Sequence, residues 1–160
     1  MSAVMLYDND QPVTLLQTSN GPRQPPMAAM RQLQAYLAPL PQVEMEPRHY
    51  FADGMYGRVL SIPADTIVVG KIHRHEHLVA LIKGEATINT DRGMERIRAP
   101  HVWISPPGAK RALITHTDCE FMTCHLNPTN THDLDELEAD IIIPEALGYD
   151  APMLDTENAR

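Results

Sequence analysis

The chain has 160 residues, 43% of them apolar and 21% charged, with a formal net charge of −8. This length suits a single domain, no apolar run approaches the ~18 residues of a membrane span, and the acid excess lacks the basic footprint that nucleic-acid binding needs. Two cysteines beside nine methionines suit a reducing compartment better than a disulfide scaffold. Cys119 and Cys124 are therefore read as free thiols in one β-hairpin.

The opening residues, MSAVMLYDND, lack the basic start and continuous apolar stretch of a secretory signal, so the expected location is the cytoplasm. Residues 1–25 show no hydrophobic period and are expected to be an arm, ordered only where it lies on something. In PPMAAMRQLQAYLAP, Pro26 suits a first helical turn and Met27, Met30, Leu33 and Leu37 recur at helical spacing. A short amphipathic helix is predicted, packed on the main domain or on a second subunit. Residues 1–44 form the arm and helix.

Residues 45–127 read as short strands separated by turn signals: MYGRVLSI, TIVVGKIH, HLVALI, EATINT, MERIR, HVWIS, RALITH and EFMTCHL. The turns are Pro63-Ala64-Asp65, Asp91-Arg92-Gly93, Pro106-Pro107-Gly108 and Thr117-Asp118. So many strands with no helix between them exclude a βαβ fold and predict an all-β sandwich or barrel. TIVVGKIH and HLVALI are expected to pair side by side.

Residues 128–160 form an acidic helix and tail. This stretch holds nine acids against one base, Arg160, whereas residues 45–127 hold ten bases against nine acids. In TNTHDLDELEAD, Thr131 is the expected helix cap, with acids in the first turn where the helix dipole favours them. IIIPE suits an edge strand or latch, and GYDAPMLDTENAR is too polar to fold alone.

The chemistry concentrates in VGKIHRHEHL. His73, His75 and His77 alternate, with Lys71 before them and Glu76 between the last two. In an extended chain such alternate residues share one face. Imidazoles in that pattern suit a transition-metal site. His101, His116 and His125 are weaker candidates. His125 leads them, because the final strand can run beside the metal-binding strands of a closed barrel.

A glycine, a histidine-ending strand, a strand closing on KGEA and a later PPG turn followed by a long side chain together resemble the two motifs of the cupin family, over about Gly54 to Leu126. The resemblance implies a double-stranded β-helix, or jelly-roll barrel, whose first motif supplies two histidines and a glutamate and whose second supplies a further histidine to a metal. Counted from Gly84 and from the PPG turn, those positions fall on Lys71, His73, His77 and Arg111. Two are cationic, and neither Lys⁺ nor Arg⁺ can donate a lone pair to a metal. Both can hold an anion, with Glu76 or Glu120 as the alternative compensating charge. The other alignment pairs His73 with His75 and completes the site with Glu76 or His77.

HRHEH also resembles the H-R-x-E-H run in the cupin domain of bacterial phosphomannose isomerases, though one residue further from the next glycine. GKIH, EH, KG, PGAKR and the acidic DLDELE helix resemble, over about residues 48–143, small uncharacterised cupin-like proteins of tailed bacteriophages. That likeness implies a phage or prophage origin and brings no activity with it.

Three functions stay open. The first is a barrel binding a small anionic molecule through Lys71, Arg111 and Glu76, with or without a divalent transition metal (zinc, iron, manganese or nickel) on His73, His77, His75 or His125. The second is a metal-dependent enzyme of the sugar-phosphate isomerase or dioxygenase class. The third is a phage accessory or host-inhibiting protein acting through its surface. Small cupins commonly associate through sheet faces and exchanged N-terminal segments, so the resemblance also implies a homodimer.

Overall fold

The computed structural model describes residues 2–5 and 27–145. In chain order the elements are β1 (Ser2–Met5), α1 (Met27–Leu37), β2 (Arg48–Ala52), β3 (Met55–Ile62), β4 (Thr66–Val69), β5 (Ile72–His73) and β6 (His77–Lys83). Then come β7 (Glu85–Thr90), β8 (Gly93–Arg98), β9 (His101–Ser105), β10 (Ala112–Thr115), β11 (Cys119–Leu126), α2 (Leu134–Ile141) and β12 (Ile142–Ile143).

Two antiparallel sheets result, ordered β1-β4-β10-β7-β8 and β2-β3-β11-β6-β9, with β12 paired to β5. Apart from the β2–β3 and β7–β8 hairpins, the chain passes back and forth between the two sheets, as in a jelly roll. The predicted all-β double-stranded β-helix, with a short N-terminal helix and a short acidic C-terminal helix, is the architecture observed. Leu60, Val68, Leu81, Ile88 and Phe121 meet between the sheets in the main core.

The predicted pairing of TIVVGKIH with HLVALI does not occur. β4 pairs with β1 and β10, whereas β6 pairs with β11 and β9. The chain turns a corner at Gly70, whose N–H donates to the Arg111 carbonyl at 2.8 Å. That corner carries the run from the first sheet to the mouth of the barrel, so one predicted strand becomes β4 and β5.

All four residues of β4 are buried, which an alternating strand with one solvated face would not show. The cause is α1. Met30, Leu33 and Leu37 pack with Ile67 and Val69 on the outer side of the sheet, while Val68 faces the barrel core. Each fully buried α1 side chain contributes about 1.5–3 kcal/mol. The helical stripe is therefore consumed within the chain, leaving only Met27 exposed.

Gly84 closes the tight connection from β6 to β7 at φ +90°. A Cβ there would meet the Asp118 carbonyl oxygen at 2.4 Å and Cys119 Sγ at 2.7 Å. Only glycine suits both the conformation and the space.

At the C-terminal end, Asp133 caps α2 in place of the predicted Thr131. Its carboxylate accepts from the Asp135 and Glu136 amides at 2.9 and 3.1 Å, and its charge suits the helix N-terminus. The Thr131 hydroxyl instead donates to Glu136. Cys119 and Cys124 both lie on β11, not in a hairpin, and both are free thiols. Their odd spacing points them to opposite faces of the sheet. The predicted tail from Gly148 onward, and most of the predicted arm, lie outside the described residues.

Candidate metal centre and cavity

Register brings the histidines together. His77 opens β6 opposite Ser105 of β9. β11 pairs with β6 through Cys124 and Leu78, so His125 falls one step further along, beside His77. His73 arrives from the other direction, on a two-residue strand fixed from three sides. Its neighbour Ile142 pairs with it from β12, the Gly108 N–H donates to its carbonyl at 2.9 Å, and Arg74 grips the end of α2. The Arg74 amide donates to the Ile141 carbonyl at 2.7 Å, and its guanidinium donates to the carbonyls of Asp140 and Ile142 at 3.3 and 3.2 Å.

The ring centroids lie 4.1 Å apart for His73–His77, 4.7 Å for His77–His125 and 5.2 Å for His73–His125. One nitrogen from each ring falls within 4.8 Å of the others. Burial, reinforced by neighbouring histidines and Arg58, lowers His73 and His125 to about 3. His77 is also lowered by burial, partly countered by its backbone hydrogen bond. All three are neutral near pH 7, so each offers a lone pair. The Nδ1 of His77 lies 3.2 Å from the His75 carbonyl oxygen; a carbonyl only accepts, so this nitrogen carries the proton and Nε2 is left free to ligate. Behind His125 stands Tyr56, whose hydroxyl is 2.8 Å from His49 Nδ1.

This set fits a metal ion. Three neutral imidazoles, desolvated and convergent, form the donor set that zinc, iron and nickel accept, whereas manganese prefers oxygen ligands. His75 and Glu76 do not join it. Both are exposed, because the chain bends between β5 and β6 and turns their side chains outward. The expectation that either completes the site is corrected accordingly; His75 contributes its carbonyl alone.

Beside the histidines lies a cavity of about 120 Å³. Arg58, Lys71 and Arg111 line it, and among the described residues no carboxylate does. The Lys71 ammonium pairs with Glu138 of α2. One guanidinium nitrogen of Arg111, Nη1, donates to the Asn89 carbonyl at 2.8 Å. Its Nε is buried without a partner, as is the Thr123 hydroxyl on the same cavity. Burial also pulls the Arg111 pKa below its ordinary value, with Asp91 opposing, yet an arginine stays cationic near neutral pH. Glu76 does not offset it, and Glu120 pairs with Arg48 at 3.1 Å instead. Arg58 has no carboxylate partner among the described residues.

Arg58 escaped the sequence reading because no motif includes it. Its signal was phase. In MYGRVLSI, Arg58 alternates with Leu60 and Ile62, which places a guanidinium on a core-facing row. Thr123 likewise alternates with Phe121 and His125.

The molecule is thus an all-β jelly roll with three convergent histidines beside a cationic cavity. No protein-family model matches the sequence, and no curated protein matches it. Among solved structures it is similar to a cupin-2 domain-containing protein of Shewanella frigidimarina, at 12% identity over 57% of this chain and 89% of that one, TM-score 0.44. It is similar to an RmlC-like cupin family protein of Methanocaldococcus jannaschii, at 14% identity over 54% and 84%, TM-score 0.44. A third likeness is to an acetylacetone dioxygenase of Acinetobacter johnsonii, at 17% identity over 55% and 66%, TM-score 0.42. These likenesses are distant; the jelly-roll assignment stands on strand order and register. Among the described residues, no helix is long and apolar enough to cross a membrane.

Proposed function

We propose that the barrel binds a small anionic molecule next to a divalent transition metal held by His73, His77 and His125. The observation that carries this reading is the charge of the cavity: among the described residues two guanidiniums, Arg58 and Arg111, line it without a carboxylate partner, beside a Lys71 already paired with Glu138, and two buried polar atoms there have no partners. Like charges stripped of water repel and lose hydration unless an anion compensates. Three neutral ligands would add to that demand, since they leave the charge of the ion uncancelled. The bound metal would supply Lewis acidity at open coordination positions. The chain itself would bind and orient, with the two guanidiniums fixing the anion and His77 held in one tautomer by the His75 carbonyl.

The test is thermal. Small anions should raise the melting temperature with the logarithm of concentration above their dissociation constant. Arg58→Met, which removes a charge that makes no hydrogen bond among the described residues, should erase the response without lowering the melting point in ligand-free buffer. Arg111→Met forfeits one hydrogen bond, about 1 kcal/mol, and should erase it too. A parent protein indifferent to all anions, with Arg58→Met clearly destabilised, contradicts the proposal.

The open positions of a three-histidine set also support a second reading, a metal-dependent enzyme of the dioxygenase class. Turnover that tracks metal content would favour it. A homodimer is proposed as well. With the α1 stripe buried, its support moves to the outer face of the second sheet, where Leu78, Val102 and Ile104 are exposed and Leu78 stands opposite Ile104. Light scattering should give twice the 17.9 kDa chain mass. A phage or prophage origin, with a location in the host cytoplasm, rests on the resemblance of residues 48–143.

A further inference from the structure

The cavity has direction as well as charge. In the second sheet, one inward row holds His125, His77 and Ser105. The next holds Arg58, Thr123, Val79 and Trp103, and the row beyond holds Leu60 and Phe121. At ~3.3 Å per residue, successive rows stand about 7 Å apart. The facing sheet repeats the gradient, with Arg111 at the polar end and Leu113 and Ile88 further in. The interior therefore passes from imidazoles through guanidiniums to a floor of hydrocarbon within two steps of each strand.

The unpartnered groups sit above the hydrocarbon floor, Thr123 in the middle row of its sheet and Arg111 one step before Leu113 on the facing one. Arg111 Nε is a donor that cannot accept, and the Thr123 hydroxyl, on the same cavity, can donate as well. Together with Arg58, which pairs with Thr123 across β3 and β11, they present donors to one acceptor-rich group. Below them, Leu60, Ile88, Leu113 and Phe121 offer no hydrogen bond to anything. A sugar phosphate would leave several hydroxyls desolvated and unpaired against that floor. An apolar chain would gain from the same surface. A cavity of about 150 Å³ holds a benzene, so the 120 Å³ here admits roughly five non-hydrogen atoms, the three of a carboxylate included.

We propose that the anion is a monocarboxylate with a compact apolar chain, about three to four carbons in all, its carboxylate on Arg58, Arg111 and Thr123 and its chain directed at Leu60, Ile88 and Phe121. This rests on the anion reading above and narrows it. It separates the site from sugar-phosphate chemistry and places the polar end of the ligand nearest the histidines. Arg58 and Arg111 fix the head group, and the floor selects chain length.

Calorimetric titration of the full chain with acetate, propanoate, butanoate, hexanoate and octanoate tests it, with butanol, inorganic phosphate and glucose 6-phosphate as comparisons. Affinity should rise about fourfold per methylene from acetate to propanoate or butanoate and fall at hexanoate and octanoate. Butanol and glucose 6-phosphate should show no saturable binding, and Arg58→Met should weaken butanoate at least tenfold. If acetate and phosphate bind as tightly as butanoate, the apolar-chain inference fails while the anion reading stands. If butanol binds as tightly as butanoate, the anion reading fails. Absence of binding by every probe overturns both.

Discussion

The two ends of the barrel are built from the same strands and behave as opposites. At one end β6 and β11 contribute His77 and His125; four residues along, the same strands contribute Leu81 and Phe121. Leu81 is fully buried in the main core, whereas the histidines face one another and a cavity. A strand that alternates in and out can thus carry stability and chemistry on one face, separated only by distance along the chain. The polar end has a cavity, orphan donors and lowered histidine pKa values, the combination that marks a site of chemistry rather than of packing.

The largest effect should come from the packed end. Leu81→Ala should cost about 2–5 kcal/mol in denaturant unfolding while leaving three histidines able to take up metal. Loss of metal binding at temperatures where the variant is folded would mean that the two ends are not separable.

Acid should act on the other end. His73 and His125 have pKa values near 3 in the folded protein and about 6.5 when unfolded. A histidine kept neutral by folding contributes fully above its unfolded pKa, and that contribution fades as pH falls from about 6.5 toward 3. At pH 5 the metal-free protein should be less stable than at pH 7.5 by up to about 2 kcal/mol for each of the two. A His73→Ala, His125→Ala variant should lose most of this slope. An unchanged slope would place the acid sensitivity elsewhere.

Smaller still is the effect of Glu138→Gln. Its ion pair with Lys71 is between half-exposed groups, so stability should change by less than about 1 kcal/mol. Freed from its carboxylate, Lys71 should tighten anion binding by calorimetry. Weaker binding would show that Glu138 positions Lys71 toward the cavity rather than holding it back.

Turn spacing and alternation made an all-β sandwich or barrel legible, since Pro106-Pro107-Gly108 and Asp91-Arg92-Gly93 bound the strands that form, and the cupin resemblance narrowed it to a jelly roll. The convergence of His73 with His77 was also expected, and His125 stood first among the remaining histidines. What the sequence hid was anything settled by distant pairing. Whether His73 or His75 faces inward depends on β12, which grips β5 from nearly seventy residues away. The partners of Lys71 and Glu120 likewise come from α2 and β2. A local pattern assigned those charges to one another because it could not see the helix and strand that claim them first.

Metal content reports most directly on the three-histidine centre. The full chain, prepared without chelators or a nickel-leaching tag, should carry about one zinc, iron or nickel ion per chain by elemental mass spectrometry, as a three-imidazole site allows. A His73→Ala, His77→Ala double variant should carry none while unfolding as cooperatively as the parent. A parent that stays metal-free after incubation with each of the three ions, or a double variant that retains its metal, would contradict the assignment of the centre to these histidines.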